Sequence, residues 1–147
     1  MFTLEEITIA VCRHWRDELP EPVATAFPGV SLATDQISAW LELGWDEWAS
    51  VLRREGDPEQ IRFQLRLRCF ARPDLETGRV LQLADYGRGA FSDRDVPIVD
   101  HEVSEAAVVG WIRFDAGVMW DFSVHDRDQR KPPLRHVEWT WRASVRG

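Results

Sequence analysis

Two short polar runs contain the residue types that most often bind metals or take part in acid–base catalysis. They are Asp100-His101-Glu102 and His125-Asp126-Arg127-Asp128. A metal site needs several ligands held together, and catalysis needs a base that a partner group orients. The four histidines are dispersed, and no CxxC or other metal-ligand spacing occurs. We therefore predict no metal site and no catalytic residue, and we interpret both runs as polar strand ends.

Motifs for nucleophilic or phosphate chemistry are also missing from the sequence. No serine lies in a GxSxG turn, Gly87-Arg88-Gly89 does not follow a strand as a phosphate loop would, and Lys131 is the only lysine. We predict that the protein is not an enzyme and has no cofactor. One alternative stays open: an α+β domain that binds or hydrolyses a small ligand between its second helix and its sheet. Asp100, His101 and Glu102 would then lie at the mouth of that pocket.

The most regular stretch of the chain is Gln60 to Ala71, where apolar and polar residues alternate. Alternation places the two kinds of side chain on opposite faces of one long strand. The apolar side chains that we predict to be buried are Ile61, Phe63, Leu65, Leu67, Cys69 and Ala71. A strand with one apolar and one polar face is typical of an antiparallel sheet that is covered on one side only.

The polar face of this strand is basic, because it carries Arg62, Arg66 and Arg68. Three interpretations of these arginines stay open: a solvated face with local ion pairs, a subunit interface, and direct contact with phosphate. The neighbouring strand bears on the choice, because it would place Glu42 and Asp46 on the same face. Cross-strand ion pairs would then be available, each contributing about 0.2–1 kcal/mol.

That neighbouring strand is predicted at Ser38 to Trp48, and a charged loop at 49–59 joins it to the strand at Gln60 to Ala71, which we call the organising strand. Eight tryptophans are many for a chain of 147 residues, and we expect most of them to fill the core. Trp40 and Trp48 fall on the polar face of their strand. We therefore assign these two to an interface.

The remaining patterns predict two helices and further strands. Thr3 and Glu6 form a capping box for a first helix that ends near Asp17, and residues 20–37 form a connection with a turn at Pro28-Gly29. A second helix begins after Arg72-Pro73-Asp74 and ends near Phe91, with a buried stripe at Val80, Leu83, Ala84, Gly87, Ala90 and Phe91. Later strands are predicted at Val96–Val103, Ala107–Asp115, Gly117–His125 and Leu134–Val145, with a bulge or tight turn at Ala116-Gly117.

The order of helix, strand, strand, helix and then three or four strands is typical of the α+β class. We predict one domain over residues 1–147, with a mostly antiparallel mixed sheet and two helices packed on one of its faces. The N-terminus shows no signal-peptide pattern, and no apolar stretch is long enough for a membrane span. Cys12 and Cys69 are expected to be buried free thiols.

Charge is distributed unevenly along the chain. The formal net charge is −7, yet residues 1–60 hold 12 acids and 4 bases, whereas residues 126–147 hold 3 acids and 6 bases. Net acidity argues against a dedicated nucleic-acid binder, which needs a positive balance to neutralise phosphates. Local basic surfaces remain compatible with this composition.

The layout as a whole resembles the tail terminator proteins of long-tailed bacteriophages. The resemblance rests on the N-terminal helix, the strand around Trp40-Leu41-Glu42-Leu43, the long charged loop, and the strand from Phe63 to Ala71. The helix around Val80-Leu81-Gln82-Leu83-Ala84-Asp85 and the last strand, with His136-Val137-Glu138-Trp139-Thr140-Trp141-Arg142, complete it. It covers nearly the whole chain and contains no invariant motif.

The resemblance implies a structural role in a virion without chemistry. Such proteins form a hexameric ring on the tail tube, stop its growth, and join the tail to the head-completion or stopper protein. DNA passes through the ring without sequence-specific binding. The family implies a place in the tail or neck, after assembly in the host cytoplasm, with no membrane partner. Another neck or connector protein is an alternative within the same class.

Two sets of residues are our hypotheses for the contacts of such a ring. The subunit interface would use Trp40, Glu42, Arg62, Arg66 and Arg68. Two loops would reach the tail tube or the neck, and they contain Arg53, Arg54, Glu55, Arg127, Arg130 and Lys131. Long charged loops in a compact domain are often functional, which is the reason for choosing them.

Overall fold

The computed structural model describes residues 2–51, 60–72, 78–100, 102, 107–122 and 134–147. Within these residues, two helices and seven strands occur in the order α1, β1, β2, β3, α2, β4, β5, β6, β7. Their bounds are Leu4–Glu18, Thr25–Ala26, Ala39–Val51, Gln60–Ala71, Gly78–Phe91, Asp95–Asp100, Ala107–Phe114, Val118–Asp121 and Arg135–Arg146. The α+β class predicted from the sequence is confirmed.

All described strands belong to one mixed sheet in the order β1-β2-β3-β7-β5-β4, and β6 pairs with β7. β1 pairs with β2 in the parallel direction, and the other described pairs are antiparallel. β1 lies within residues 20–37, which we predicted to be a connection. Its two residues, Thr25 and Ala26, pair with Leu41 and Glu42. The turn at Pro28-Gly29 is present, with Gly29 at a φ of 77° that favours glycine.

The organising strand β3 has the predicted bounds and the predicted faces. Its six apolar residues are at most 6% exposed. β7 lies beside it with Val137, Trp139, Trp141 and Ala143 turned to the same buried side. We call this side of the sheet the inner face and the opposite side the outer face. Helix α1 contributes Ile7, Val11 and Trp15 to the core on the inner face.

The start of α1 and the buried stripe of α2 agree with the predictions from the sequence. The Thr3 side chain accepts the Glu6 backbone N–H at 3.1 Å, and the Glu6 carboxylate accepts the Thr3 N–H at 2.7 Å, which completes the capping box. The buried residues of α2 are the six predicted for its stripe. Gly87 packs closely there, because a Cβ would lie 2.6 Å from Leu67 Cδ2 and 3.3 Å from Trp139 Cδ1, so a larger residue would force these side chains to shift. The predicted start of α2 at residues 73–77 lies outside the described residues.

A bulge in β2 changes the prediction for one tryptophan. The pairing of β2 with β3 shifts between Asp46 and Ala49, and Glu47 has a φ of 52°. An extra residue in one strand exchanges the faces of the residues that follow it. Trp48 therefore stacks on Phe63 with ring centroids 5.1 Å apart and packs against the core. The prediction that Trp48 lies on the polar face was wrong.

Strands β5 and β6 form one interrupted track along β7. Phe114 is opposite Ala143 and Val118 is opposite Thr140. The chain therefore advances four positions from β5 to β6 while β7 advances three, which leaves one extra residue between β5 and β6. Asp115 Oδ1 accepts the backbone N–H groups of Gly117 and Arg142, both at 3.0 Å. The bulge predicted at Ala116-Gly117 is confirmed, and it keeps β6 on β7 as an edge strand.

The other strand bounds differ modestly from the predictions. β2 continues to Val51, β4 begins at Asp95 and ends at Asp100, and β6 ends at Asp121. The parts of the predicted strands at 101, 103 and 123–125 lie outside the described residues. No helix in the described part of the chain is long and apolar enough to cross a membrane. Cys12 is half-buried and Cys69 is buried, and both are free thiols. Burial raises the pKa of Cys69 to about 12, so its thiol stays protonated.

Candidate assembly surfaces

Among the described residues no helix covers the outer face of the sheet, and this face carries the five residues predicted to form the subunit interface. Directly paired residues of neighbouring strands share a face, so the outer face can be described in rows. One row contains Trp40, Phe70 and His136, and the next contains Glu42, Arg68 and Glu138. Further along, Arg62 of β3 and Arg113 of β5 both stand opposite Ser144 of β7. The central sheet strands thus place charged groups side by side.

Two of the predicted interface arginines are held by carboxylates of their own chain. Arg66 pairs with Asp46, and its Nε lies 2.8 Å from Glu138 Oε1. Arg68 Nε lies 3.5 Å from Glu138 Oε2. The Glu138 side chain is only 12% exposed, whereas the two arginines are 33% and 41% exposed. We call Asp46, Arg66, Arg68 and Glu138 the paired cluster, and its charges largely cancel.

A row of stacked rings borders the paired cluster. Trp40 stacks on Phe70 at 5.1 Å, Phe70 on His136 at 4.4 Å, and His136 on Phe122 at 5.1 Å between ring centroids. The Arg72 guanidinium lies 5.4 Å from the Trp40 ring centre. Burial lowers the pKa of His136 below its ordinary value, although nearby Glu138 opposes this shift. The row is therefore uncharged near neutral pH apart from Arg72.

The structure changes what the predicted interface residues can contribute. Trp40 is on the outer face as predicted but is only 5% exposed, because Phe70 and Arg72 cover it. Glu42 lies opposite Arg68, yet Arg68 pairs with Glu138 instead. Arg62 is exposed, and its Nη2 donates to Gln60 Oε1 at 3.3 Å. The five residues share one face, but only Arg62 among the three arginines lacks a carboxylate partner within the described chain.

A second group of arginines surrounds Ser144 on the same face. Arg62 and Arg113 flank Ser144 on the neighbouring strands, and Arg142 and Arg146 lie two residues before and after it. Strand geometry separates these positions by about 4.8 Å across the sheet and about 7 Å along it. All four arginines are exposed and line a depression of about 340 Å³. We call Arg62, Arg113, Arg142 and Arg146 the arginine cross.

The arginine cross is poorly neutralised compared with the paired cluster. Arg113 Nη1 lies 3.3 Å from Asp95 Oδ1, in a pair whose side chains are both at least half exposed. Among the residues that the structure describes, no carboxylate is within ion-pair distance of Arg62, Arg142 or Arg146. Asp115 also lines the depression, with one oxygen occupied by backbone N–H groups. This end of the outer face therefore remains electropositive.

The edge strand β6 exposes an apolar strip that the sequence analysis did not predict. Val118 and Trp120 are opposite Thr140 and Glu138, so they lie on the outer face, and their exposed fractions are 53% and 59%. Phe122 continues the strip at 41%. We call Val118, Trp120 and Phe122 the apolar strip. Within the described residues β6 pairs only with β7, and exposed apolar side chains on such an edge strand are typical of a surface that meets another chain.

A groove lies on the other side of the molecule, between α1 and β4. Its volume is about 530 Å³, and its lining includes Asp100 and Glu102 at the end of β4. The alternative pocket predicted at these residues was placed between the second helix and the sheet, which is wrong because α2 packs directly on β3 and β7. The acidic Glu5 and Asp17, the basic Arg13 and the exposed Ile9 line the groove from α1.

The described residues contain no group of three or more potential metal ligands. His14 is half-buried, and its Nε2 lies 2.7 Å from the carbonyl oxygen of Ala90, as expected for a satisfied structural histidine. His101 and His125 lie outside the described residues. The loop residues Arg53, Arg54, Glu55, Arg127, Arg130 and Lys131 do so as well, so their proposed contacts stay predictions.

Sequence reasoning missed three features of this surface: the role of Glu138, the arginine cross and the apolar strip. A partial signal existed for two of them. Glu138 and Arg142 are polar residues that alternate with apolar ones in the predicted last strand, but the pairing of β3 with β7 was not predicted. For the apolar strip, the run Val118-Met119-Trp120 was visible, but its position at a sheet edge was not.

Comparisons with known proteins bear on the fold. No protein-family model matches the chain, and no curated protein matches it. A chain of a solved structure described as "Virion of native gene transfer agent (GTA) particle" is similar, with a TM-score of 0.55 and 14% sequence identity. The match covers 96% of this chain and 95% of that chain. At this identity the similarity shows the fold, and it shows that the fold occurs, end to end, as one chain of a virion particle.

Proposed function

We propose that this protein is a structural component of a virion that works by assembling with other chains. The observation that carries the proposal is the end-to-end similarity to a chain of a virion particle, over 96% and 95% of the two chains. The apolar strip supports it, because a contiguous set of exposed apolar side chains at a sheet edge is usually covered by a partner. The neighbour comes from a gene transfer agent particle, and the step to this chain is our proposal.

The finer role that we propose is that of a tail terminator. The chain would form a ring, hexameric by the resemblance described above, that ends tail-tube growth and presents a surface to the head-completion protein. Its partners would be its own copies, the tail-tube protein and the stopper protein, and DNA would pass through the ring. The loops with Arg53, Arg54 and Glu55 and with Arg127, Arg130 and Lys131 are proposed to reach the tube or the neck. This role is non-enzymatic.

Polymerisation of tail-tube protein tests the proposed role. Tube protein is allowed to polymerise with and without the purified chain, and tube lengths and ends are examined by negative-stain electron microscopy. We expect shorter tubes whose ends carry a ring. Tubes of unchanged length with bare ends would contradict the terminator role. Binding to the stopper protein but not to tubes would favour the alternative of another neck or connector protein.

A matched pair of variants tests whether the apolar strip takes part. Trp120→Ser with Phe122→Ser removes exposed aromatic surface from β6. Leu81→Ser removes a comparably exposed side chain, at 47%, from α2 on the opposite side of the sheet. We expect the first variant to lose tube capping while keeping its circular dichroism spectrum, and the second to cap normally. Equal capping by both variants would remove the apolar strip from the assembly surface.

A further inference from the structure

The arginine cross places four like charges around one serine with little compensation. Ser144 is at the centre, and each arginine occupies one of its four neighbouring positions on the outer face. No two of these arginines are directly opposite each other, but their like charges repel one another across the diagonal positions. Arg113 has only the exposed pair with Asp95, and no carboxylate of the described residues pairs with Arg62, Arg142 or Arg146. In the same sheet, carboxylates of the chain itself neutralise Arg66 and Arg68. Within the described residues, the cross has only the exposed pair of Arg113 with Asp95.

The arginine cross and the neighbouring Trp111 are suited to a partner that carries both negative charge and apolar surface. Guanidinium groups bind carboxylates and phosphates through paired hydrogen bonds. Trp111 lies opposite Arg146 on the same face and is 48% exposed. Tryptophan and arginine are the residue types that contribute most to protein–protein binding sites. Trp111 next to the cross therefore indicates a protein surface as the partner.

A complementary surface is present on the chain itself. The lining of the groove between α1 and β4 is acidic on balance, because it contains five acidic residues and one arginine, and its Ile9 is 43% exposed. These charged residues are Glu5, Glu6, Asp17, Asp100, Glu102 and Arg13. Its volume of about 530 Å³ admits several side chains of a partner. A nucleic acid is disfavoured as the occupant of the cross, because the protein has a net charge of −7.

We propose that the arginine cross of one copy, together with Trp111, docks against the acidic groove between α1 and β4 of the next copy. The two surfaces are different patches of the same chain, so the contact is heterologous and can close into a ring. The inference rests on the proposed function, because it assumes that the protein assembles with its own copies. It replaces the predicted interface, since Arg66 and Arg68 pair within the chain and Arg62 alone of the three predicted arginines has no carboxylate partner among the described residues.

Charge reversal at both surfaces tests the contact. Arg142→Glu with Arg146→Glu reverses the cross, and Asp17→Arg with Glu102→Arg reverses the groove. These residues are exposed, and Asp17 is in the last turn of α1, where a positive charge suits the helix dipole. The mass of each variant is measured by light scattering, alone at rising concentration and on tail tubes. A circular dichroism spectrum confirms that each variant is folded.

We expect each reversal to weaken association by about tenfold or more, because like charges then face each other, and the combined variant to regain it. Arg88→Glu, on the exposed side of α2, is the control for a charge change elsewhere and should assemble normally. Normal assembly of both single reversals would overturn the inference while leaving the proposed function intact. Failure of the combined variant to regain association while both single reversals stay folded would also overturn it.

Two further outcomes distinguish this contact from a chain that does not assemble and from a cross that binds nucleic acid. A wild-type chain that never associates, alone or on tubes, would contradict the proposed function and this contact together. Binding of a DNA duplex by the wild-type chain that Arg142→Glu with Arg146→Glu abolishes, with unchanged assembly, would assign the cross to phosphate groups instead. In that case the docking proposal is overturned.

Discussion

The paired cluster and the arginine cross lie on the same face of the same sheet, yet they differ in how their charges are balanced. In the paired cluster, Glu138 is almost covered and holds both Arg66 and Arg68. In the arginine cross, four exposed arginines surround a neutral Ser144. The difference comes from β7, which supplies a carboxylate to one row and a hydroxyl to another. The charges of a basic strand are therefore neutralised within the chain in one part and left largely unneutralised in another, depending on the neighbouring strand.

Removing the Glu138 carboxylate should lower the stability of the fold more than any other change to the two groups. Glu138→Ala leaves Arg66 and Arg68 without their shared partner in a mostly covered site. We expect a loss of about 1–2 kcal/mol in the free energy of unfolding, reduced from the value for a buried pair because both arginines are partly exposed. Urea denaturation measures this loss. Glu42→Ala is the control on the same face, and an equal loss there would contradict the special role of Glu138.

Removing the outer carboxylate of the paired cluster should have a smaller effect. Asp46→Asn breaks the pair with Arg66, in which the two side chains are 35% and 33% exposed. Water screens such a pair, so we expect a loss of about 0.5 kcal/mol in the free energy of unfolding. The same denaturation experiment measures it. A loss larger than that of Glu138→Ala would show that Asp46, and not Glu138, holds the cluster together.

Acid should weaken the row of stacked rings through His136. Burial lowers the pKa of His136 in the folded protein, and Arg68 adds to the shift, while Glu138, Glu42 and Asp121 oppose it. The unfolded chain then binds a proton more readily than the folded chain, so stability falls as the pH drops below the ordinary histidine pKa of about 6.5. His136→Phe keeps the ring stack and should show a smaller loss of stability between pH 7 and pH 5. Identical pH profiles for both proteins would contradict this assignment.

Neutralising the arginine cross should have the smallest effect on the fold. Arg142→Gln with Arg146→Gln removes two charges that have no carboxylate partner among the described residues. We expect the free energy of unfolding to change by no more than about 0.5 kcal/mol, and the melting temperature to stay close to that of the wild type. A loss comparable to that of Glu138→Ala would mean that these arginines stabilise the monomer, and the contrast between the two groups would disappear.

Periodic segments were predictable from the sequence because their residues report directly on burial. The alternation of β3 and the stripe of α2 were both predicted residue by residue. Trp48 was not, because a single extra residue at the bulge reverses the faces that follow it. The arginine cross was not, because it brings together β3, β7 and β5, which are distant in sequence. Whether a given arginine is neutralised depends on which strands pair with each other, and composition does not reveal strand pairing.

Assembly in a salt series is the measurement that tests the account most directly. The mass of the wild-type chain on tail tubes would be followed by light scattering from about 50 to about 500 mM NaCl, since salt screens exposed charges. We expect a complex of several copies of the 17.0 kDa chain at low salt that weakens as salt rises, while the circular dichroism spectrum stays the same. A mass of one chain under every condition would contradict a virion assembly protein. A complex that is indifferent to salt would contradict the arginine cross as its contact.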